Sequence, residues 1–138
     1  MIVRPATEDD LPRLMGYAEE FLSYHPVTSL FPRDLDAVEV ALRRMIHDPN
    51  SVLLVHDRGA IGGFITPMWC SPGVLVATEL FWWAEGSGLS LMRAFEDWAR
   101  ECGADIVQML MIMGRRDVSF VYDRAGYSPV ELSYVRAA

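Results

Sequence analysis

The stretch that most constrains the fold runs from Val74 to Gly103. It begins as an apolar strand, turns at Glu85-Gly86-Ser87-Gly88, and continues as a strongly amphipathic helix. Glycines allow the backbone to turn tightly, and the first N–H groups of a helix have no partner within it. These N–H groups and the helix dipole attract an anion such as a phosphate. The stretch therefore predicts a phosphate-bearing ligand at the C-terminal end of a strand.

The helix at 88–102 is the best-defined element of the sequence, and Gly103 is a natural C-terminal cap for it. Its apolar face follows the helical period and contains Leu89, Met92, Phe95, Trp98, Ala99 and Cys102. Apolar strands precede the helix at 74–84 and follow it at 105–113. Since a helix between two strands is a crossover, we expect these two strands to be parallel.

The remaining elements are predicted from hydrophobic period and turn residues. They are a strand at Ile2-Val3, a helix capped by Thr7 and ending near Tyr24-His25, a helix opened by Pro32 and stopped by Asp48-Pro49-Asn50, a hairpin of Ser51–His56 and Ala60–Pro67, a short helix at Asp117–Ala125, and a final strand or strand pair at Tyr127–Val135. The order is β-α-α-β-β-β-α-β-α-β. It predicts an α/β (α+β) domain with a mixed, mostly antiparallel central sheet and helices on both faces, and a single domain over residues 1–138.

Composition narrows the function classes. The net charge of −7 argues against a nucleic-acid partner, which requires a basic face, and leans towards a cationic substrate. No apolar run is long enough to cross a bilayer, and we find no signal peptide, so we predict a cytoplasmic protein with no membrane partner. Cys70 and Cys102 fit no metal spacing and are predicted to be buried, reduced thiols. We expect no metal site.

Several segments together carry a family resemblance. They are Ile2–Leu11, Glu79-Leu80-Phe81-Trp82-Trp83, the Gly86-Ser87-Gly88 turn, the helix Leu89–Gly103, and Val121-Tyr122-Asp123-Arg124-Ala125-Gly126-Tyr127. In this order they resemble the opening, central and closing motifs of the GNAT-type N-acetyltransferases. The resemblance spans the whole chain, and the predicted topology agrees with the fold of that family.

The resemblance implies acetyl-CoA as co-substrate. Its pantetheine arm would pair with the backbone of Phe81, Trp82 and Trp83, and its pyrophosphate would lie on the residues at the helix start, Gly86, Ser87, Gly88, Leu89 and Ser90. The alternative is a plain strand-to-helix turn with Ser87 as N-cap. One departure matters, because the turn is several residues shorter than the family pattern and lacks its Arg or Gln. This departure favours a non-catalytic acyl-CoA-binding or protein-interaction domain with the same fold.

The same resemblance assigns the chemistry. Tyr122 matches the family tyrosine four residues before a glycine, and a phenol can protonate a leaving thiolate. Glu79 is the candidate base, since burial in an apolar strand would raise its pKa. If strand alternation holds, Glu79 shares a face with Phe81 and Trp83. The alternatives are a Tyr122 that only packs on the sheet, a Glu79 that is solvated or paired with an arginine, and a water chain that replaces the base.

We therefore predict an N-acetyltransferase that moves an acetyl group from acetyl-CoA directly to a primary amine of a small molecule or protein. The resemblance places acceptor choice in the helix pair at 8–48 and in the loops Tyr24–Phe31 and Met68–Gly73. His25, His47 and His56 are interpreted as ordinary surface or loop histidines. The run Met109–Met113 is a candidate homodimer contact, and a purely structural role is a third hypothesis. A Rossmann fold is not favoured, because the chain has one crossover and no GxGxxG.

Overall fold

The computed structural model describes residues 2–114 and 116–138. Within these described residues, five strands and four α-helices follow one another in the order β1 (Arg4–Pro5), α1 (Leu11–Tyr24), α2 (Leu35–His47), β2 (Ser51–His56), β3 (Gly59–Met68), β4 (Ser71–Ala84), α3 (Gly88–Glu101), β5 (Ile106–Gln108) and α4 (Ser119–Arg124). Single 3-10 turns at Glu8–Asp10 and Pro26–Leu30 precede and follow α1.

The strands form one sheet in the order β1-β2-β3-β4-β5. The first four strands are antiparallel neighbours, and β4 and β5, on either side of α3, are parallel. The prediction of a mixed, mostly antiparallel sheet with a parallel crossover is therefore confirmed.

Two hydrophobic clusters lie on opposite faces of this sheet. One packs α1 and α2 against the sheet and contains Leu14, Leu42, Val55, Phe81 and Trp83. The other packs α3 against the opposite face and contains Leu54, Ile61, Ala77, Leu91 and Phe95. The strand β4 supplies side chains to both clusters, so it contributes to the core on both faces of the sheet.

A bulge in β4 interrupts its alternation. Gly62 pairs with Phe81 and Gly63 pairs with Glu79, so Leu80 is an extra residue without a partner on β3. A Cβ on Gly63 would lie 2.8 Å from Phe95 of α3, which shows that Gly63 faces α3. Because residues opposite each other in a ladder share a face, Glu79 faces α3 as well. The prediction that Glu79 shares a face with Phe81 and Trp83 is therefore wrong.

Four other predictions need correction at the edges of the elements. The first strand is Arg4–Pro5 instead of Ile2-Val3, because only these residues pair with Val55 and Leu54 of β2. The second helix begins after Asp34, whose carboxylate accepts the N–H of Ala37 at 3.0 Å, and not at Pro32. The strand expected at 105–113 is regular only over Ile106–Gln108. Residues 127–135 form no strand in the described structure, and Val130, Leu132 and Tyr134 are exposed there.

The two cysteines are free, as predicted, but both are exposed, so the prediction of buried thiols is wrong. Cys102 is the C-cap of α3, at the end of the apolar face and beyond the cover of the sheet. No helix within residues 2–114 and 116–138 has the length and apolar character needed to cross a membrane.

Candidate active site

The open edge of β4 defines the candidate site. The parallel ladder between β4 and β5 ends at the pair Thr78 and Gln108, so residues from Glu79 to Ala84 extend beyond it. In the part of the chain that the structure describes, these residues pair with β3 on one side and with no strand on the other. The backbone of Phe81, Trp82 and Trp83 lies along this edge, and the family resemblance implies that the pantetheine arm would pair there.

Glu79 lies at the start of this edge and is only 4% exposed. Its carboxylate accepts a hydrogen bond from the backbone N–H of Leu110, and burial raises its pKa to about 8 because that single bond only partly offsets the loss of water. Among the described residues, no Lys, Arg or His side chain forms an ion pair with Glu79. The solvated or arginine-paired Glu79 considered as an alternative is therefore not what the structure shows.

Tyr122, on α4, bonds the other backbone group of the same residue, Leu110. Its hydroxyl donates to the backbone carbonyl of Leu110 at 2.6 Å. Burial and then the negative charge of Glu79 raise the pKa of the phenol above its usual value. The phenol therefore holds its proton at neutral pH, which is the state that a general acid requires. Leu110 thus places the candidate acid and the candidate base on its two backbone groups.

Trp82 forms a wall of this site, whereas its two neighbours do not reach it with their side chains. The Trp82 ring lies 6.3 Å from the Tyr122 ring, and a Cβ on Gly88 would lie 3.3 Å from it. Trp83 instead stacks on Tyr17 of α1 at 4.3 Å, on the opposite face of the sheet. Phe81 belongs to the same cluster as Trp83, so these two residues offer only backbone groups to the edge.

Residues Glu85–Gly88, here called the glycine turn, connect β4 to α3. Gly86 and Ser87 both have positive φ angles, +133° and +54°, so two successive residues bend the chain into the helix. Because α3 begins at Gly88, the N–H groups of Gly88 and Leu89 have no acceptor within the helix. These donors are the ones that the sequence assigned to a pyrophosphate.

The hydroxyl groups of the two serines of this region have different surroundings. Ser87 occupies the N-cap position, but its side chain makes no cap hydrogen bond. The hydroxyl of Ser90 donates to the carbonyl of Ser87 at 2.7 Å, which closes the first turn of α3. The Ser87 hydroxyl is therefore available to a ligand, whereas the Ser90 hydroxyl already donates its hydrogen bond within the first turn of α3.

His56 is a residue of this region that the sequence interpretation missed. It is 2% exposed, at the end of β2, and its Nε2 lies 3.1 Å from the carbonyl of Ser87. The interpretation as a surface or loop histidine is wrong for His56. Its signal in the sequence is the position directly after four apolar strand residues and before a hairpin turn, which favours burial.

The other two histidines have local roles. His47 lies 3.3 Å from the Glu8 carboxylate on the exposed side of α2, and His25 accepts the N–H of Val27 at 3.2 Å. Within residues 2–114 and 116–138, no group of three or more His, Cys, Asp or Glu side chains could hold a metal ion. A cavity of about 410 Å³ lies at the loop Tyr24–Phe31, where the family resemblance implies acceptor choice, and its lining includes Tyr24, His25, Thr28 and Arg33.

Comparison with known proteins identifies the fold. A transcriptional regulator from Bacillus halodurans superposes with a TM-score of 0.76 at 20% identity, covering 99% of both chains. An aminoglycoside 6'-N-acetyltransferase from Acinetobacter haemolyticus gives 0.73 at 12% identity, covering 100% of this chain and 98% of that one. A ribosomal-protein-alanine N-acetyltransferase from Brucella melitensis gives 0.67 at 15% identity over 100% of both chains. The chain has the GNAT-type N-acetyltransferase fold.

This GNAT-type fold agrees with the resemblance carried by the sequence motifs. No protein-family model matches the sequence, and no curated protein matches it either. The fold assignment therefore depends on three-dimensional similarity together with the open β4 edge and the glycine turn, and identities of 12–20% carry the fold and no activity.

Proposed function

We propose that this protein transfers the acetyl group of acetyl-CoA directly to a primary amine. One observation carries the proposal: Glu79 bonds the backbone N–H of Leu110 and Tyr122 bonds its carbonyl, at the open edge of β4. A carboxyl group whose pKa is about 8 and a protonated phenol are the base and the acid that such a transfer requires.

The open edge and the glycine turn fit the co-substrate. Backbone groups of Phe81, Trp82 and Trp83 lack a strand partner on the β5 side and can bond an extended arm with amide groups. The N–H groups at the start of α3 can bind a pyrophosphate. Gly88 lies so close to the Trp82 ring that a side chain there would press against the ring.

In the proposed reaction Glu79 is the base and Tyr122 is the acid. The acceptor reaches the site as an ammonium ion, and Glu79 in its carboxylate form takes one proton from it, directly or through water. The free amine attacks the thioester carbonyl carbon, a new C–N bond forms, and the C–S bond breaks. Tyr122 breaks its hydrogen bond to Leu110 and gives its proton to the leaving sulfur. The nitrogen of the new C–N bond loses its second proton through water to the Tyr122 phenolate, which leaves a neutral amide, a free thiol and a protonated Tyr122.

A non-catalytic acyl-CoA-binding or protein-interaction domain is the second candidate function. The short glycine turn supports it, because fewer backbone donors face a pyrophosphate. The similar protein called a transcriptional regulator shows that proteins of this shape carry other descriptions. The two candidates differ in one prediction, since only the enzyme requires the Tyr122 hydroxyl.

The deciding experiment is calorimetric titration with acetyl-CoA, followed by release of free thiol in the presence of a panel of primary amines. We expect micromolar-range binding and turnover with at least one amine. Gly86→Asp, which places a side chain and a negative charge on a residue with φ +133°, should abolish binding. Gly16→Asp, at an open position on α1, is the matched control. Absence of binding at millimolar acetyl-CoA would exclude the proposal.

Tyr122→Phe separates the two candidates. The enzyme predicts lost turnover with retained acetyl-CoA binding, because only the hydroxyl is removed. A binding domain predicts no amine-dependent thiol release in either form. The acceptor, a cytoplasmic location and a homodimer contact at Met109–Met113 stay predictions, and the net charge of −7 favours cationic amines for the first panel.

A further inference from the structure

The turn between β2 and β3 holds the glycine turn from the side. The N–H of Glu85 donates to the carbonyl of Arg58 at 2.9 Å. Two residues further along, the carbonyl of Ser87 lies 3.1 Å from Nε2 of His56. The glycine turn is therefore fixed at both ends by residues that belong to a different hairpin.

The hydrogen bonds of His56 determine which of its nitrogens carries the proton. The backbone N–H of Arg58 donates to Nδ1 at 3.0 Å, so Nδ1 is an acceptor. In a neutral imidazole the proton is then on Nε2, which donates to the carbonyl of Ser87. A φ of +54° is costly for a residue with a side chain, and this buried bond holds Ser87 in that conformation.

Arg58 brings a positive charge to the same turn. A Cβ on Gly86 would lie 3.3 Å from Nη1 of Arg58, so the guanidinium covers that glycine. Within residues 2–114 and 116–138, the guanidinium has no hydrogen bond or ion pair, although Asp57 and Glu85 lie in the two turns. The charged residue of the glycine turn itself, Glu85, is acidic and cannot attract a phosphate.

We propose that His56 and Arg58 complete the site for the phosphate groups of coenzyme A. Arg58 binds a phosphate oxygen with its guanidinium and supplies the positive charge that the shortened turn lacks. His56 is a positioning residue, because it holds the carbonyl of Ser87 and so orients the free N–H groups of α3. This inference depends on the proposed function, since it assumes the same ligand.

The first test compares two probes, free coenzyme A and S-acetylpantetheine, which lacks all phosphates. Arg58→Gln should weaken binding of coenzyme A about 10-fold, the usual effect of one charge-assisted hydrogen bond, and leave binding of S-acetylpantetheine unchanged. Glu85→Gln should tighten binding of coenzyme A alone. Arg44→Gln, an exposed arginine on α2 at the opposite face of the sheet, is the matched control.

The second test uses a pair of substitutions at His56. An amide nitrogen in His56→Gln reaches about as far as Nε2, so it can still donate to the carbonyl of Ser87. The shorter side chain of His56→Asn can accept from the N–H of Arg58 but cannot reach Ser87. We expect His56→Gln to keep the affinity for coenzyme A, and His56→Asn to lose about 5-fold, the effect of one hydrogen bond. Thermal unfolding of both variants verifies that they are folded.

The outcomes separate this inference from the proposed function. Selective loss of coenzyme A affinity in Arg58→Gln supports the inference, whether or not any amine is acetylated. Equal affinity in Arg58→Gln and wild type overturns it and leaves acetyl transfer intact. Equal losses for both probes also overturn it, because the effect would then be one of folding. A wild-type protein that binds neither probe at millimolar concentration overturns both proposals.

Discussion

Two buried carboxylates in this molecule have opposite surroundings, and their pKa values shift in opposite directions. Asp10, at the corner of β1 and α1, is 5% exposed, and Glu79, at the open edge of β4, is 4% exposed. Asp10 accepts hydrogen bonds from Arg4 and Arg13 at 2.8 and 2.9 Å and from the N–H of Thr7 at 2.8 Å. Among residues 2–114 and 116–138, Glu79 has one backbone donor and no cation as a partner.

This difference separates an anchor from a reactive group. The hydrogen bond from Arg4 holds the pKa of Asp10 well below its usual range, so this carboxylate stays charged and closes the start of α1. Burial without a cation raises the pKa of Glu79 to about 8, so this carboxyl group exchanges its proton near neutral pH. Similar solvent exposure therefore has opposite consequences, because Asp10 has two arginines as partners, whereas Glu79 is surrounded more deeply by protein and has one backbone donor.

The largest expected effect is on turnover by Glu79→Gln. The amide cannot take a proton from the acceptor, and loss of a general base costs about 100- to 10,000-fold in rate. Turnover of wild type should rise as the pH increases through about 8, the pKa of Glu79. The measurement is thiol release from acetyl-CoA with the best amine of the panel, and full activity in Glu79→Gln would exclude Glu79 as the base.

The general location of this site could be predicted from the sequence, but its detail could not. The order of elements as far as α4, the crossover helix and the candidate residues Glu79 and Tyr122 follow from local pattern and motif. The face of Glu79 does not, because the bulge at Leu80 depends on how β4 pairs with Gly62 and Gly63 of β3. The contact of His56 with Ser87 joins residues 31 positions apart, which no local period reveals.

The second prediction concerns stability against pH. Between the pKa of 4.5 for an ordinary Glu and about 8 for folded Glu79, the folded state holds a proton that the unfolded state has lost. The free energy of unfolding should therefore fall as the pH rises from about 5 to about 8. At about 1.4 kcal/mol per pKa unit, the fall is on the order of 4 kcal/mol.

Urea unfolding at pH 5 and pH 9 measures this slope. The tyrosines with raised pKa values and Asp10 titrate outside this window, and the part of the loss that disappears in Glu79→Gln belongs to Glu79. Glu79→Gln should remove most of it. A wild-type protein as stable at pH 9 as at pH 5 would contradict the raised pKa.

The third prediction concerns Asp10→Asn, which leaves two arginines without their shared anion. Because removal of one partner from a buried ion pair is strongly destabilising, we expect a loss of about 3 kcal/mol at pH 7. The lower end of the usual range applies, since Arg4 is half exposed. Because the pKa of Asp10 is lower in the folded state than in the unfolded state, the charged Asp10 stabilises the folded protein at pH values above about 4. The difference in free energy of unfolding between wild type and Asp10→Asn should therefore shrink in acid. An unchanged free energy of unfolding at pH 7 would show that Asp10 is not an anchor.

The smallest effect is expected for an acid that has a cation but no burial. Asp97 contacts Arg100 at 2.8 Å on the surface of α3, and both side chains are more than half exposed. Water screens such a pair, so the free energy of unfolding of Asp97→Asn should lie within about 0.5 kcal/mol of the wild-type value. Its turnover and the pH dependence of its stability should be unchanged. Both acids pair with arginine, so a comparison of Asp97→Asn with Asp10→Asn by urea unfolding isolates the effect of burial. A loss as large as that of Asp10→Asn would show that the arginine, and not its burial with the acid, makes the anchor.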